Sequence, residues 1–93
     1  MSICQYMNLQ WFMPKDIIVT LGDPPEQFYI VLKGKVSKYW ENGQHESDYL
    51  PGECFNEKSV IYQINASGNY ISKERTYVLI IKKNDYDQII WQA

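Results

Sequence analysis

Histidine and arginine occur once each in the 93-residue chain, as His45 and Arg75, and cysteine twice, as Cys4 and Cys54. A single imidazole leaves few routes to acid–base chemistry near neutral pH. With no G-x-S-x-G turn, P-loop or H-E-x-x-H motif in the chain, no catalytic centre is expected. Two cysteines without a spacing pattern make neither a disulfide framework nor a metal site. His45 has no ligand set around it in the sequence and reads as a surface strand residue. Long apolar runs are absent too: IIV at Ile17 to Val19 and YVLII at Tyr77 to Ile81 fall far short of the ~20 residues that span a bilayer. Membrane insertion by this segment is not expected. The net charge of −2 is spread without acidic or basic blocks, so no electrostatic footprint for nucleic acid or an anionic membrane is present. The start, MSICQYMNLQWF, has neither the basic opening nor the clean apolar stretch of a signal peptide. A reducing, cytoplasmic setting is therefore expected, with both cysteines as free thiols, and the Asn65-Ala66-Ser67 sequon is read as accidental.

What the chain does hold is apolar and aromatic material, 45% and 15% of its residues, enough for one small core and hence a single domain over residues 1–93. Short strand-like runs alternate with turns. Asp16 to Thr20 is rich in β-branched residues and stops at Gly22-Asp23-Pro24-Pro25, which cannot continue a paired strand. Gln27 to Leu32 carries apolar residues on both parities, as in a strand buried on both faces, and Gly34 marks a bend or bulge. Lys35 to Trp40 and His45 to Leu50 flank Glu41-Asn42-Gly43-Gln44, for which Asn-Gly predicts a type I′ hairpin turn. Pro51-Gly52 ends the return strand. Tyr70 to Lys73 and Thr76 to Lys82 read as two further strands joined around Glu74-Arg75. Near the C-terminus Asn84 can cap a helix with Asp87 third and with Tyr86, Ile89 and Ile90 on one face. The expected fold is mainly β with terminal helices, an antiparallel jelly-roll-like β-barrel or double-stranded β-helix.

The series PKDIIVTLGDPPEQFYIVLKGKV, ENGQ, LPGECFNE and YVLIIKKNDYDQII resembles the cyclic-nucleotide-binding domain of kinase regulatory regions, nucleotide-gated channels and bacterial transcription regulators. The match runs over about residues 9–91. Its anchors are the Gly22-Asp23 loop, the strand Phe28 to Leu32 ending at Gly34, the Pro51-Gly52 turn, Phe55, Glu57, and the last strand leading into Asp85-Tyr86. The resemblance implies a phosphate-binding cassette, in which a Glu accepts from a ribose hydroxyl while an Arg and backbone N–H groups hold the cyclic phosphate of cAMP or cGMP. Glu57 falls on that Glu. Asn56 stands where the family has Gly, a position Asn tolerates because it accepts positive φ better than most residues. The cassette Arg has no counterpart: its position falls at Asn65 or Ala66, and Arg75 lies in a predicted turn. The family's hinge helix and C-terminal lid helix would follow Ala93.

An Arg–phosphate pair is charge-assisted, and hydrogen bonds to charged groups contribute about 1.5–3 kcal/mol each. Its replacement weakens binding by one to several decades, at ~1.4 kcal/mol per decade. The implied binding set is then Phe55, Asn56 and Glu57, the Ser67 hydroxyl, backbone N–H groups from Ala66 to Gly68, and a point charge from Lys58. Each has an ordinary counterpart: a carboxylate supporting a helix dipole for Glu57, a solvated surface lysine for Lys58. Trp11, Trp40 and Trp91 are candidates to stack on a purine, and packing is the commoner use of Trp. Two functions from different classes remain. One is a ligand-sensing module that binds cAMP or cGMP weakly or atypically and relays the event to other domains of a larger regulatory protein. The other is a non-binding barrel used as a protein–protein scaffold. A metal-dependent jelly roll would need a His cluster, which the chain does not have.

Overall fold

The computed structural model describes residues 7–85. The elements in chain order are β1 (Met7–Phe12), β2 (Ile17–Val19), β3 (Gln27–Lys33), β4 (Val36–Trp40), β5 (His45–Tyr49), β6 (Cys54–Phe55), α1 (Glu57–Tyr62), β7 (Gly68–Ser72) and β8 (Thr76–Lys82). They form two antiparallel four-stranded sheets, ordered β1-β8-β3-β6 and β2-β7-β4-β5. Among the described residues no hydrogen-bonded ladder closes the two into a barrel. What stands of the jelly-roll expectation is a pair of open sheets over a shared core.

That core follows from strand alternation. One face of β3 supplies Tyr29 and Val31, which join Val19, Val36, Phe55, Ala66, Tyr70, Val78 and Ile80 from both sheets. The other face supplies Phe28, which packs with Ile81 of β8 and Val60 of α1. The helix thus covers the outer face of β3, and this is why Phe28 to Val31 is apolar on both parities.

The hairpin turn departs from the type I′ expectation. Gly43 has φ +83, but Asn42 keeps a negative φ. The Gly43 N–H donates to Trp40 C=O, and the Trp40 N–H to Gln44 C=O. This is the longer loop in which an ordinary turn is followed by glycine in the left-handed region. The pairing of β4 with β5 also slips between Lys38 and Tyr39: Lys38 faces Ser47 while Tyr39 faces His45, so Glu46 is the extra residue of a bulge. At the end of β3, Gly34 sits at φ +100, where a Cβ would come 2.6 Å from the Arg75 carbonyl oxygen and 2.7 Å from Thr76 Cα.

The ends add to what the sequence showed. Met7–Phe12, for which no element was expected, is an edge strand paired with β8. Leu9 and Trp11 point outward there and Asn8 and Gln10 are exposed; Phe12 packs against the core, and the rest of β1 is held by backbone pairing with β8. A helical turn begins at Lys83, one residue ahead of the expected Asn84 cap. Tyr86, Asp87, Ile89, Ile90 and Trp91 lie outside the described residues, as does Cys4.

Candidate functional site

A cavity of about 540 Å³ opens between α1 and the inner face of the sheet containing β4 and β7. Its floor is aromatic. Phe55 is buried, stacked on Tyr29 at 4.8 Å and on Tyr70 at 5.2 Å between ring centroids, and tilted against Tyr49 at 5.8 Å. Burial first, then the neighbouring Tyr49 and Glu46, push the Tyr70 phenol well above its ordinary range, so it remains a neutral hydrogen-bonding group that also accepts from the Asn56 backbone N–H.

Asn56 turns the chain from β6 into α1 with φ 63 and ψ 12, in the left-handed region that glycine enters most freely. Its Nδ2 donates to the Gln27 carbonyl at 3.0 Å. Its Oδ1 is buried with no hydrogen-bond partner among the described residues. The turn sets Glu57 and Lys58 on the cavity wall. Glu57 is half-buried and takes a hydrogen bond from the Cys54 thiol; burial and the Glu57 charge hold that thiol above its ordinary value.

Five of the six expected ligand residues, Phe55, Asn56, Glu57, Lys58 and Ser67, line this one cavity. Ala66 stands apart. Its side chain is 3% exposed and belongs to the core. Its N–H donates to the Asp23 carbonyl, and its own carbonyl accepts from Gly22 N–H, both at 2.9 Å. The Gly22-Asp23 loop therefore holds the cassette segment in place, and the Ala66 amide is already committed. Arg75 is remote as well, with its guanidinium over the Trp11 ring at 5.1 Å and near Tyr77. His45 is on the hairpin surface, 2.8 Å from Asp48, as the sequence suggested.

The cavity also contains a cation that the sequence reading did not single out. Lys38 on β4 is 7% exposed. Its Nζ donates to Ser67 Oγ at 2.7 Å and lies 3.0 Å from Glu46 Oε2. It also sits over the Trp40 ring at 4.5 Å and near the Tyr70 ring at 5.5 Å. Room for its stem comes from Gly68, where a Cβ would lie 3.2 Å from Lys38 Cε and collide with the Tyr39 carbonyl oxygen. A signal was available in the sequence: Lys38 shares its strand parity with Val36 and Trp40, so it lies on the inward side of β4.

The sequence profile of the cyclic nucleotide-binding domain matches residues 9–92. A cAMP-dependent protein kinase regulatory subunit from Hypocrea atroviridis is 22% identical over 89 residues, covering 96% of this chain and 19% of that protein. Among solved structures, Thermus thermophilus catabolite activator protein superposes with a TM-score of 0.87 at 26% identity, over 97% of this chain and 44% of that one. The regulatory domain of Toxoplasma gondii PKA, crystallised with cAMP, superposes with the same TM-score at 19% identity, over 95% of this chain and 36% of that one. The chain thus spans about a fifth of the length of the curated relative it matches and less than half of either solved chain.

Proposed function

We propose, from the premise that the chain belongs to the cyclic nucleotide-binding domain family, that it is a ligand-sensing module taking cAMP or cGMP weakly or atypically. The family is regulatory, not catalytic. The observation that carries this reading is the convergence of Glu57, Ser67 and an aromatic floor on one cavity of about 540 Å³, within the ~300–1,000 Å³ usual for small-molecule sites. Glu57 is the acceptor for a ribose hydroxyl. Weak affinity follows from Ala66, whose methyl and committed amide supply neither the charge nor the N–H of a phosphate anchor.

The relay to other domains of a larger regulatory protein has a mechanical basis. Val60 of α1 packs on Phe28 and Ile81. Ile81 is two residues before the helical turn that begins at Lys83, and the Lys83 N–H is tied to the Glu26 carbonyl at 2.8 Å. A ligand that draws Glu57 inward moves α1 against the strand end that leads into the helical turn at Lys83. The second reading, a scaffold without ligand, draws on Ala66 and on the engagement of Lys38 by Glu46.

Calorimetry and NMR titration with cAMP and cGMP to millimolar concentration tests the two. Saturable shifts of the α1 and Ser67 resonances that weaken in Glu57→Ala support the sensing module. No saturable shift, or identical behaviour of Glu57→Ala, leaves the scaffold.

A further inference from the structure

The geometry points to Lys38 as the anion-recognising cation of the cavity, and to Glu46 as a built-in carboxylate that occupies this cation until a phosphate displaces it. This rests on the sensing reading above for the identity of the nucleotide, but the anion site itself can be tested without one.

Four observations carry it. Lys38 is the only buried lysine among the described residues, with its side chain 9% exposed. A buried ammonium requires a counter-charge and hydrogen-bond acceptors. The structure supplies Glu46 at 3.0 Å and the Ser67 hydroxyl at 2.7 Å. Second, Ser67 carries the hydroxyl that remains for phosphate contact in the cassette segment once its Arg is missing, so Lys38 Nζ stands within hydrogen-bond reach of that position. The charge comes from a strand of the sheet, not from the cassette itself.

Third, Glu46 is the extra residue of the β4–β5 bulge. Without that slip, regular alternation would carry the side chain to the face opposite that of Ser47 and Tyr49, its neighbours opposite Lys38 and Val36. The carboxylate is also 30% exposed while its partner is 9% exposed. Glu46 can therefore swing into solvent at low cost, whereas Lys38 stays in the wall. Fourth, the rings of Trp40 and Tyr70 flank the ammonium and hold its position through the exchange, since each ring face attracts a cation. The exchange is a replacement of one oxyanion by another on the same ammonium. The ligand class is an anion with phosphate-type oxygens, and affinity is set by competition with the internal carboxylate.

The experiment titrates inorganic phosphate into the 93-residue chain and follows the Trp40 indole N–H and Ser67 amide resonances. Glu46→Gln removes the competitor and leaves Lys38 short of counter-charge. It is expected to bind phosphate about tenfold tighter than wild type or better. Adding Lys38→Met to Glu46→Gln is expected to abolish the response, and Lys38→Arg to retain it. The assignment is overturned if Glu46→Gln binds no tighter than wild type, or if binding survives Lys38→Met. Thermal unfolding checks that Lys38→Met folds; Glu46→Gln, which acts in the opposite direction, keeps the test decisive if it does not.

Parallel titrations with cAMP and cGMP separate the two claims. Glu57-dependent nucleotide binding that ignores Lys38 and Glu46 overturns this assignment and leaves the sensing reading intact. A phosphate response that needs Lys38, with no response to either nucleotide, supports the anion site and removes the nucleotide.

Discussion

Gly34→Ala should be among the most damaging single-methyl additions to the described part of the chain, and its cost can be built from two terms. The backbone at Gly34 has φ +100, and forcing an L-residue into a left-handed conformation costs roughly 1–2 kcal/mol. The added Cβ would also sit 2.6 Å from the Arg75 carbonyl oxygen and 2.7 Å from Thr76 Cα. Thr76 is fully buried and bound through Oγ1 to Lys35 and Glu74, so it cannot retreat. Overpacking of this kind adds about 1–3 kcal/mol. The sum, about 2–5 kcal/mol, is a large share of the ~5–14 kcal/mol that a domain of this size holds. Thermal unfolding followed by circular dichroism should show a fall of roughly 8–40 °C, at ~4–8 °C per kcal/mol. Gly43→Ala is the control: φ is +83 there, but a Cβ would meet nothing within 4 Å. It should lose only the backbone term, about 1–2 kcal/mol. If Gly34→Ala is no worse than Gly43→Ala, the close approach of β8 to the β3–β4 bend is not what the glycine serves.

Other outcomes follow from the same geometry. The Asp48 carboxyl is held down to about 2 by hydrogen bonds from Ser37 and His45 and by the Lys35 charge. Its folded value lies below its unfolded one, so its stabilising contribution is complete above about pH 4 and disappears as pH falls toward 2; Asp48→Asn should flatten the acid limb of a stability-against-pH curve in that window. The Cys54 thiol, raised by burial and then by Glu57, should react slowly with a thiol reagent at pH 7–8 in a Cys4→Ser background. Glu57→Gln should speed that reaction, because removing the neighbouring negative charge favours the thiolate. Tyr70→Phe takes away the hydroxyl that accepts from the Asn56 N–H. It leaves a buried donor unpaired at about 1–3 kcal/mol, measurable by urea unfolding.

Much of the fold was legible because its signals are local. The runs at Gln27, Val36, His45 and Thr76 became β3, β4, β5 and β8, since β-branched and aromatic content bounded by turn residues is enough to mark a strand. The turn before α1 was legible too: Asn56 takes the positive φ that its place in the cassette demands. Strand β1 was missed because its exposed Leu9 and Trp11 carry no core-facing pattern, and only the edge of β8 makes Met7–Phe12 a strand.

The candidate site divides in the same way. Glu57, Phe55 and Ser67, which line the one cavity, were singled out from residue type and order, which are properties of one short segment. Ala66 and Lys38 were not correctly weighed, because their roles depend on what lies across the sheets. The Ala66 amide is committed to Asp23, 43 positions earlier, and Lys38 meets Ser67 29 residues away through the β4–β7 pairing. A cation sought at the cassette position is supplied instead by another strand. Residue type and local order were enough to identify the fold and to name part of the cavity wall. Register and a one-residue bulge, set by pairings between distant segments, decided which charge stands in the cavity and which carboxylate covers it.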